Sequence, residues 1–287
     1  MKKNLLLLFT AFFVSCTDLQ FMSETPADTA ALAAESEFTA LIEQARYGNS
    51  QAFLKLADCY RDGKGVEQDF AGMLCMVSQA EDFGGIGRME DYLKRIPEGS
   101  DFRTFVEAMD KIDDRQFEEI QSMSEQLIAN GCPDGYTLQG VIAIERGDTL
   151  AGLRLLEQAA SQGSSMAELM LCLPDWRGGD VPDIQRLMAM SDRNPFANII
   201  LAKMYAGEYN ESLTDNRLAA YYFRKADEKA YLNKRGARWL LNSHLNDSTF
   251  SLPENDIRRL QILAGETSSQ MQEEILEVAD TMVIAEP

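Results

Sequence analysis

Apolar positions along this chain recur at helical spacing and nowhere alternate convincingly as a strand would. From Ser50 to Arg61 they fall at Ala52, Phe53, Leu56, Ala57 and Tyr60, one face of a 3.6-residue period. Gly63 and Gly65 interrupt that face and tolerate the positive φ of a tight loop. Asp69 is placed to cap a second helix, whose apolar face is Phe70, Met73, Leu74, Val77 and Ala80, running to about Phe83 with Gly84 closing it. Residues 48–84 therefore predict a helix–loop–helix hairpin. Ala52, Ala57, Ala71 and Ala80 let its helices approach closely. A hairpin of this kind cannot bury its apolar face alone and must stack on copies of itself.

Copies follow. Residues 194–230 repeat the pattern: Ala197, Leu201, Ala202, Tyr205 and Gly207 form the first helix and its stop, and Asp215, Ala219, Tyr222 and Phe223 lie in the second. The intervening Glu208 to Thr214 lacks the Gly-x-Gly-Val core, and Ala230 replaces the closing glycine, which predicts a tighter or helical turn there. Residues 135–163 form a degenerate copy with almost no loop, around Gly147 and Asp148. Met166 to Leu171 begins another first helix, broken at Pro174; Pro182 suits the first turn of the helix that follows, to about Met190. Gly85 to Asn130 fits least well but carries helical stretches at Asp91–Arg95, Asp101–Met109 and Asp114–Ala129. Leu232–Asn242, Pro253–Ala264 and Ser268–Met282 close the array.

In the first hairpin Ala52, Leu56, Ala57, Tyr60, Gly63, Gly65, Val66, Gln68, Asp69, Ala80 and Gly84 stand in order. This resembles the Sel-one-like repeat, a relative of the tetratricopeptide repeat. Ala57 stands where that pattern usually has Gly, and Glu81 where it has a second Ala. The resemblance implies an all-α, right-handed solenoid of antiparallel helix pairs. It also implies a surface that binds peptides or proteins and does no chemistry of its own.

The N-terminus changes the setting. Met1-Lys2-Lys3 precedes a short apolar run, Leu5 to Val14, and then Ser15-Cys16. The run is too short to cross a bilayer, which takes about 20 apolar residues, and fits a secretory signal. Ser15-Cys16 resembles a bacterial lipobox, with Phe13 where Leu is usual. That likeness implies cleavage before Cys16 and acyl chains on its sulfur. Thr17, not Asp, follows, which by the same resemblance favours the outer membrane, with the periplasmic and surface sides both open. The expected organisation is a signal at 1–15, a tether at 16–37 whose Ala-rich end can begin the first helix, and a helical repeat domain at 38–287.

Net charge is −19 over 287 residues, with 45% apolar. Such acidity repels phosphate backbones and argues against nucleic acid. The remaining Cys59, Cys75, Cys132 and Cys172 match no zinc or CxxC spacing. Cys59 and Cys75 sit on paired helices, so a bridge and four buried thiols are both open. Asp62-Gly63-Lys64-Gly65-Val66 lacks phosphate-loop spacing and follows a helix. His244 is the lone histidine, too little for a nucleophile–base pair or a zinc site, and reads as a surface residue. Asp110, Asp113, Asp114, Glu118 and Glu119 read as a solvated helix boundary. No cofactor or metal is expected.

Candidate partner contacts are aromatic. Tyr221, Tyr222 and Trp239 cluster with Phe223 and Tyr231 around one helix pair, where both packing and ligand contact suit them. Trp176 and Arg177 sit in a loop. The expected function is a lipid-anchored envelope scaffold, held to the membrane through Cys16, that recruits a protein, a peptide or an envelope polymer. Two other readings stand beside it: an enzyme or glycan-binding protein with an unconventional site on carboxylates of the acidic run, which a deep pocket holding two facing carboxylates with one displaced pKa would favour, and a structural spacer.

Overall fold

The first hairpin forms where its signals put it. Helix α2 covers Ser50–Asp62 and α3 covers Phe70–Asp82. Asn49 caps α2 through its side chain, accepting from the backbone N–H groups of Gln51 and Ala52; Asp69 caps α3, accepting from Gly72. Gly63 ends α2 in the left-handed region at φ +68°. The loop closes where the Asp69 N–H donates to the Tyr60 carbonyl at 3.0 Å.

The computed structural model describes residues 26–87, 89–174 and 181–266. The signal with Cys16, the Trp176–Arg177 loop and the helix expected at 268–282 lie outside the described residues. Within them, every regular element is helical. Before the hairpin comes α1 (Pro26–Arg46). After it come α4 (Met89–Leu93), α5 (Asp101–Asp113), α6 (Phe117–Ala129), α7 (Asp134–Glu145), α8 (Thr149–Ser161) and α9 (Ser165–Met170). The series ends with α10 (Ile184–Met190), α11 (Pro195–Tyr205), α12 (Asn216–Asp227), α13 (Lys234–Asn246) and α14 (Glu254–Ala264). The chain is an all-α helical-repeat solenoid in which most helices pack on their neighbour in sequence, α2 on α3, α7 on α8 and α11 on α12 most extensively.

One loop device recurs. The Asp183 N–H donates to the Cys172 carbonyl and the Asp215 N–H to the Tyr205 carbonyl, both at 2.8 Å. Each aspartate then accepts from the N–H three residues on, Arg186 and Leu218 respectively, as Asp69 does from Gly72. An aspartate that closes a loop and caps the next helix thus marks the α2–α3, α9–α10 and α11–α12 pairs. Pro182 accordingly lies outside the helix instead of in its first turn, because Asp183 takes the cap. In the shortened copy, Asp148 still caps α8 through Ala151, and the pair α7–α8 packs closely because Gly140 and Gly152 face one another. A Cβ on Gly152 would lie 2.6 Å from the Gly140 carbonyl oxygen.

Two boundaries differ from expectation. The helical region begins at Pro26, well inside the stretch read as tether. Proline is favoured in a helix's first turn, and the Ala-rich segment after it is a strong helix former. Packing adds to this: Gly65 lies so close to α1 that a Cβ there would stand 2.3 Å from the Ala34 oxygen. Ala230 makes the turn neither tighter nor helical. It adopts φ +61°, the left-handed geometry of Gly84 at φ +74°. Its buried methyl joins the main core, offsetting the roughly 1–2 kcal/mol that this backbone costs an L-residue.

The solenoid's ends meet. Tyr60 of α2 lies edge-on to Tyr231 at 6.4 Å between ring centroids, and Gln79 of α3 donates to the Tyr231 carbonyl at 3.4 Å. Lys234 Nζ donates to the Asp82 carbonyl and sits 4.8 Å over the Phe83 ring. Arg259 of α14 forks onto Asp227 of α12 at 2.8 and 2.5 Å, and Arg46 of α1 reaches the same carboxylate at 3.2 Å. One core cluster consequently runs from Leu41 to Ala264.

Candidate interaction groove

Helix α12 has two unlike faces. Ala219, Tyr222, Phe223 and Ala226 are buried. Tyr222 stacks on Tyr205 at 5.8 Å, and Phe223 meets Trp239 at 5.2 Å. Arg217, Leu218, Tyr221 and Arg224 point outward at the spacing of one helical face. Of the aromatic candidates, Tyr222 and Trp239 are thus engaged in packing. Tyr221 is 55% exposed, with its edge against Tyr222 at 5.0 Å.

A groove of about 440 Å³ runs beside this face, lined from α12 by Arg217, Tyr221, Arg224 and Lys225 and from the loop after α13 by Asp247 and Phe250. Its far wall is fixed locally. His244 Nδ1 accepts from the Leu252 N–H at 3.1 Å, which gives the lone histidine a loop-anchoring role. Asp247 accepts from the Thr249 N–H and hydroxyl at 2.8 and 2.7 Å. Those Thr249 bonds, with Arg217 nearby, hold its carboxyl below the usual range. Lys225 Nζ bonds Asp192 at 2.5 Å and lies 6.0 Å over the Tyr221 ring. Arg224 makes no ion pair among the described residues.

A second, smaller cavity of about 140 Å³ gathers Asp69, Asp101, Cys132 and Asp134. Burial pushes the Asp134 carboxyl up to about 6, against hydrogen bonds from Ser164 and Thr137 that pull it down, while Asp69 raises it further. Ser164 and Thr137 donate to Asp134 at 2.5 and 3.2 Å. Asp69 caps α3 and accepts from the Ser165 hydroxyl. Both carboxylates therefore tie repeats together, and the cavity is smaller than the ~300–1,000 Å³ of ligand pockets. The folded state holds the Asp134 proton more tightly than the unfolded chain. Its contribution is therefore fully present below pH about 4, falls as pH rises to about 6 and then levels, a change of about 3 kcal/mol. Asp134→Asn is expected to remove that slope from stability measured by urea unfolding across pH 4–7; an unchanged slope contradicts this assignment.

The acidic run brackets the α5–α6 turn, where Lys111 pairs with Glu119 at 2.7 Å and Arg146 approaches Glu118 at 3.6 Å. Among the described residues no cluster of His, Cys, Asp or Glu is arranged to hold a metal. Cys59, Cys75, Cys132 and Cys172 are free thiols, and burial pushes those of Cys75 and Cys132 up to about 12. No helix among the described residues is long and apolar enough to cross a membrane.

No protein-family model matches the chain, and no curated protein does. Among solved structures it is similar to a Sel1 repeat protein from Oxalobacter formigenes, at 16% identity and a TM-score of 0.39 over 82% of this chain and 89% of that one. It is also similar to a protective antigen of uropathogenic Escherichia coli strains displaying an SLR fold, at 15% identity and a TM-score of 0.32 over 83% of this chain and 53% of that one.

Proposed function

We propose that this chain is a lipid-anchored scaffold of the bacterial cell envelope, held to the outer membrane through Cys16, that recruits another protein through its helical-repeat surface without catalysing a reaction. The observation that carries the recruiting role is the outward face of α12. It leaves Tyr221 and Leu218 exposed at 55% and 38% beside Arg224, which has no ion-pair partner among the described residues. Exposed aromatic and Arg side chains beside a groove are the residue types that dominate binding energy at interfaces. The anchor rests on the order of basic, apolar, small and cysteine residues before Thr17, and acyl chains on one cysteine hold by burying methylenes at roughly 0.8 kcal/mol each.

Both parts are tested in living cells. A photo-crosslinking amino acid at Tyr221 is expected to yield a discrete protein adduct, and one at Leu150, exposed on α8, is the comparison. Adducts at neither position, or adducts with an envelope polymer alone, contradict recruitment of a protein. Cys16→Ala is expected to lose labelled palmitate and leave the membrane fraction; retention of both contradicts the anchor.

A further inference from the structure

We propose that the α12–α13 groove is a docking site for a short acidic peptide segment carrying an aromatic or aliphatic anchor. The inference rests on the scaffold reading and names the partner's chemistry. The whole chain is strongly acidic, at −19, yet this groove brings Arg217, Arg224 and Lys225 together against Glu228 and Asp247. Asp247 is already engaged by Thr249, and Lys225 by Asp192. That leaves the Arg224 guanidinium without an ion-pair partner among the described residues. It can meet a carboxylate through two parallel N–H···O bonds.

The apolar component is equally local. Tyr221 and Phe250 line the same groove, and Leu218, one turn from Tyr221, extends the apolar surface along α12. An acidic segment with one apolar side chain matches this lining. The groove's 440 Å³ lies in the range of sites for small ligands, so a few residues fill it.

Screening separates a peptide from larger anions. At physiological salt a charge is felt over about 8 Å. A short segment lying in the groove senses chiefly its arginines and lysine. A bilayer of acidic lipid or a nucleic acid presents its charge over a wide area and meets the acidic remainder of the surface too, where repulsion opposes contact.

The test is a titration of the full-length chain, followed by fluorescence anisotropy of a fluorescein-labelled peptide of alternating Glu and Trp. The same peptide with Lys or Gln in place of Glu, and phosphatidylglycerol vesicles, serve as competing probes. The Glu probe is expected to bind at least about ten-fold more tightly than either control. Arg217→Glu with Arg224→Glu is expected to weaken it about ten-fold or more, and Tyr221→Ala by about ten-fold. Arg154→Glu, an equal charge reversal on exposed α8, leaves it unchanged.

The proposal is overturned if the Lys or Gln probe binds as tightly, if Arg154→Glu weakens binding as much as the groove variants, or if the vesicles bind through Arg224 and the peptide does not. The scaffold reading fails separately. Photo-crosslinked partners that persist in the Arg217→Glu, Arg224→Glu chain, with no Glu-probe binding, overturn the groove and leave the scaffold standing. Loss of all adducts from every exposed position overturns the scaffold.

Discussion

Asp227→Ala is expected to destabilise the fold by about 3–5 kcal/mol, the range for breaking a buried ion pair from one side. Asp227 is 5% exposed and Arg259 is 4% exposed, so neither charge can recover water when its partner is lost. Arg259 also donates to the Arg46 carbonyl at 3.2 Å, which ties α14 to α1, and Arg46 itself reaches Asp227. A single truncation therefore strands one guanidinium in the core and loosens the junction of three helices. Arg46 retains Glu43 at 3.0 Å, whereas Arg259 keeps only the longer 3.6 Å approach to Asp256, so the poorly compensated charge is chiefly that of Arg259. Asp227→Leu combined with Arg259→Met removes both charges and is expected to recover most of the loss. Urea unfolding followed by circular dichroism measures all three chains. A loss below about 1 kcal/mol for Asp227→Ala, the scale of an exposed pair, contradicts the buried linkage.

Gly65→Ala is the second large effect. Gly65 adopts φ +72°, which strains any L-residue, and its missing Cβ faces backbone, not a side chain that can swing aside. The conformation costs an alanine about 1–2 kcal/mol, and the forced retreat of α1 from the loop adds about 1–3 kcal/mol. The ion pair between Lys64 and Glu37 at 2.6 Å spans the same contact but is exposed and too weak to hold it. A total of about 2–5 kcal/mol is expected, with α1 becoming the first segment cut by limited proteolysis. Gly84→Ala is the control, because its φ is +74° but nothing lies within 4 Å of its Cβ position. It should lose only the conformational part. Equal losses in the two variants, or unchanged cleavage of α1, contradict the packing of α1 on the repeat loop.

These two sites show what the sequence makes legible. The hairpin at 48–84 could be read because its signals are local: a period of apolar residues, two glycines and an aspartate within one loop length. The same holds for 194–230 and for the turn at Gly147-Asp148. The start of α1 was marked by Pro26 ahead of an Ala-rich run, a signal outweighed by the acidic, small-residue composition around it. Ala230 shows that tertiary burial can hold a non-glycine residue in a glycine's conformation, which local preference does not foresee.

The junction of the two ends was not legible, because nothing in a helical period says which distant helix will cover it. Gly72 is its one local trace. It sits in the first turn of α3, where a Cβ would lie 2.8 Å from the Tyr231 hydroxyl, and a glycine within a helix with no turn to make signals a close neighbour. The groove was half legible. Periodicity gathered Tyr221, Tyr222 and Trp239 onto one helix pair, and only the packing separated the exposed Tyr221 from the two that fill space. The cations beside it read as ordinary surface residues until α13 and the loop after it supplied a second wall.

The meeting of the first and last repeats fixes which faces are spent on packing and which, α12's outer face among them, remain free. It is tested most directly by nuclear Overhauser contacts between the ring protons of Tyr60 and Tyr231 in the chain selectively labelled at tyrosine. Ring centroids 6.4 Å apart with the planes 83° to one another predict a strong cross-peak between assigned signals of the two residues. Resolved, assigned signals with no cross-peak would mean that the ends do not meet, and would contradict the closed solenoid on which this account is built.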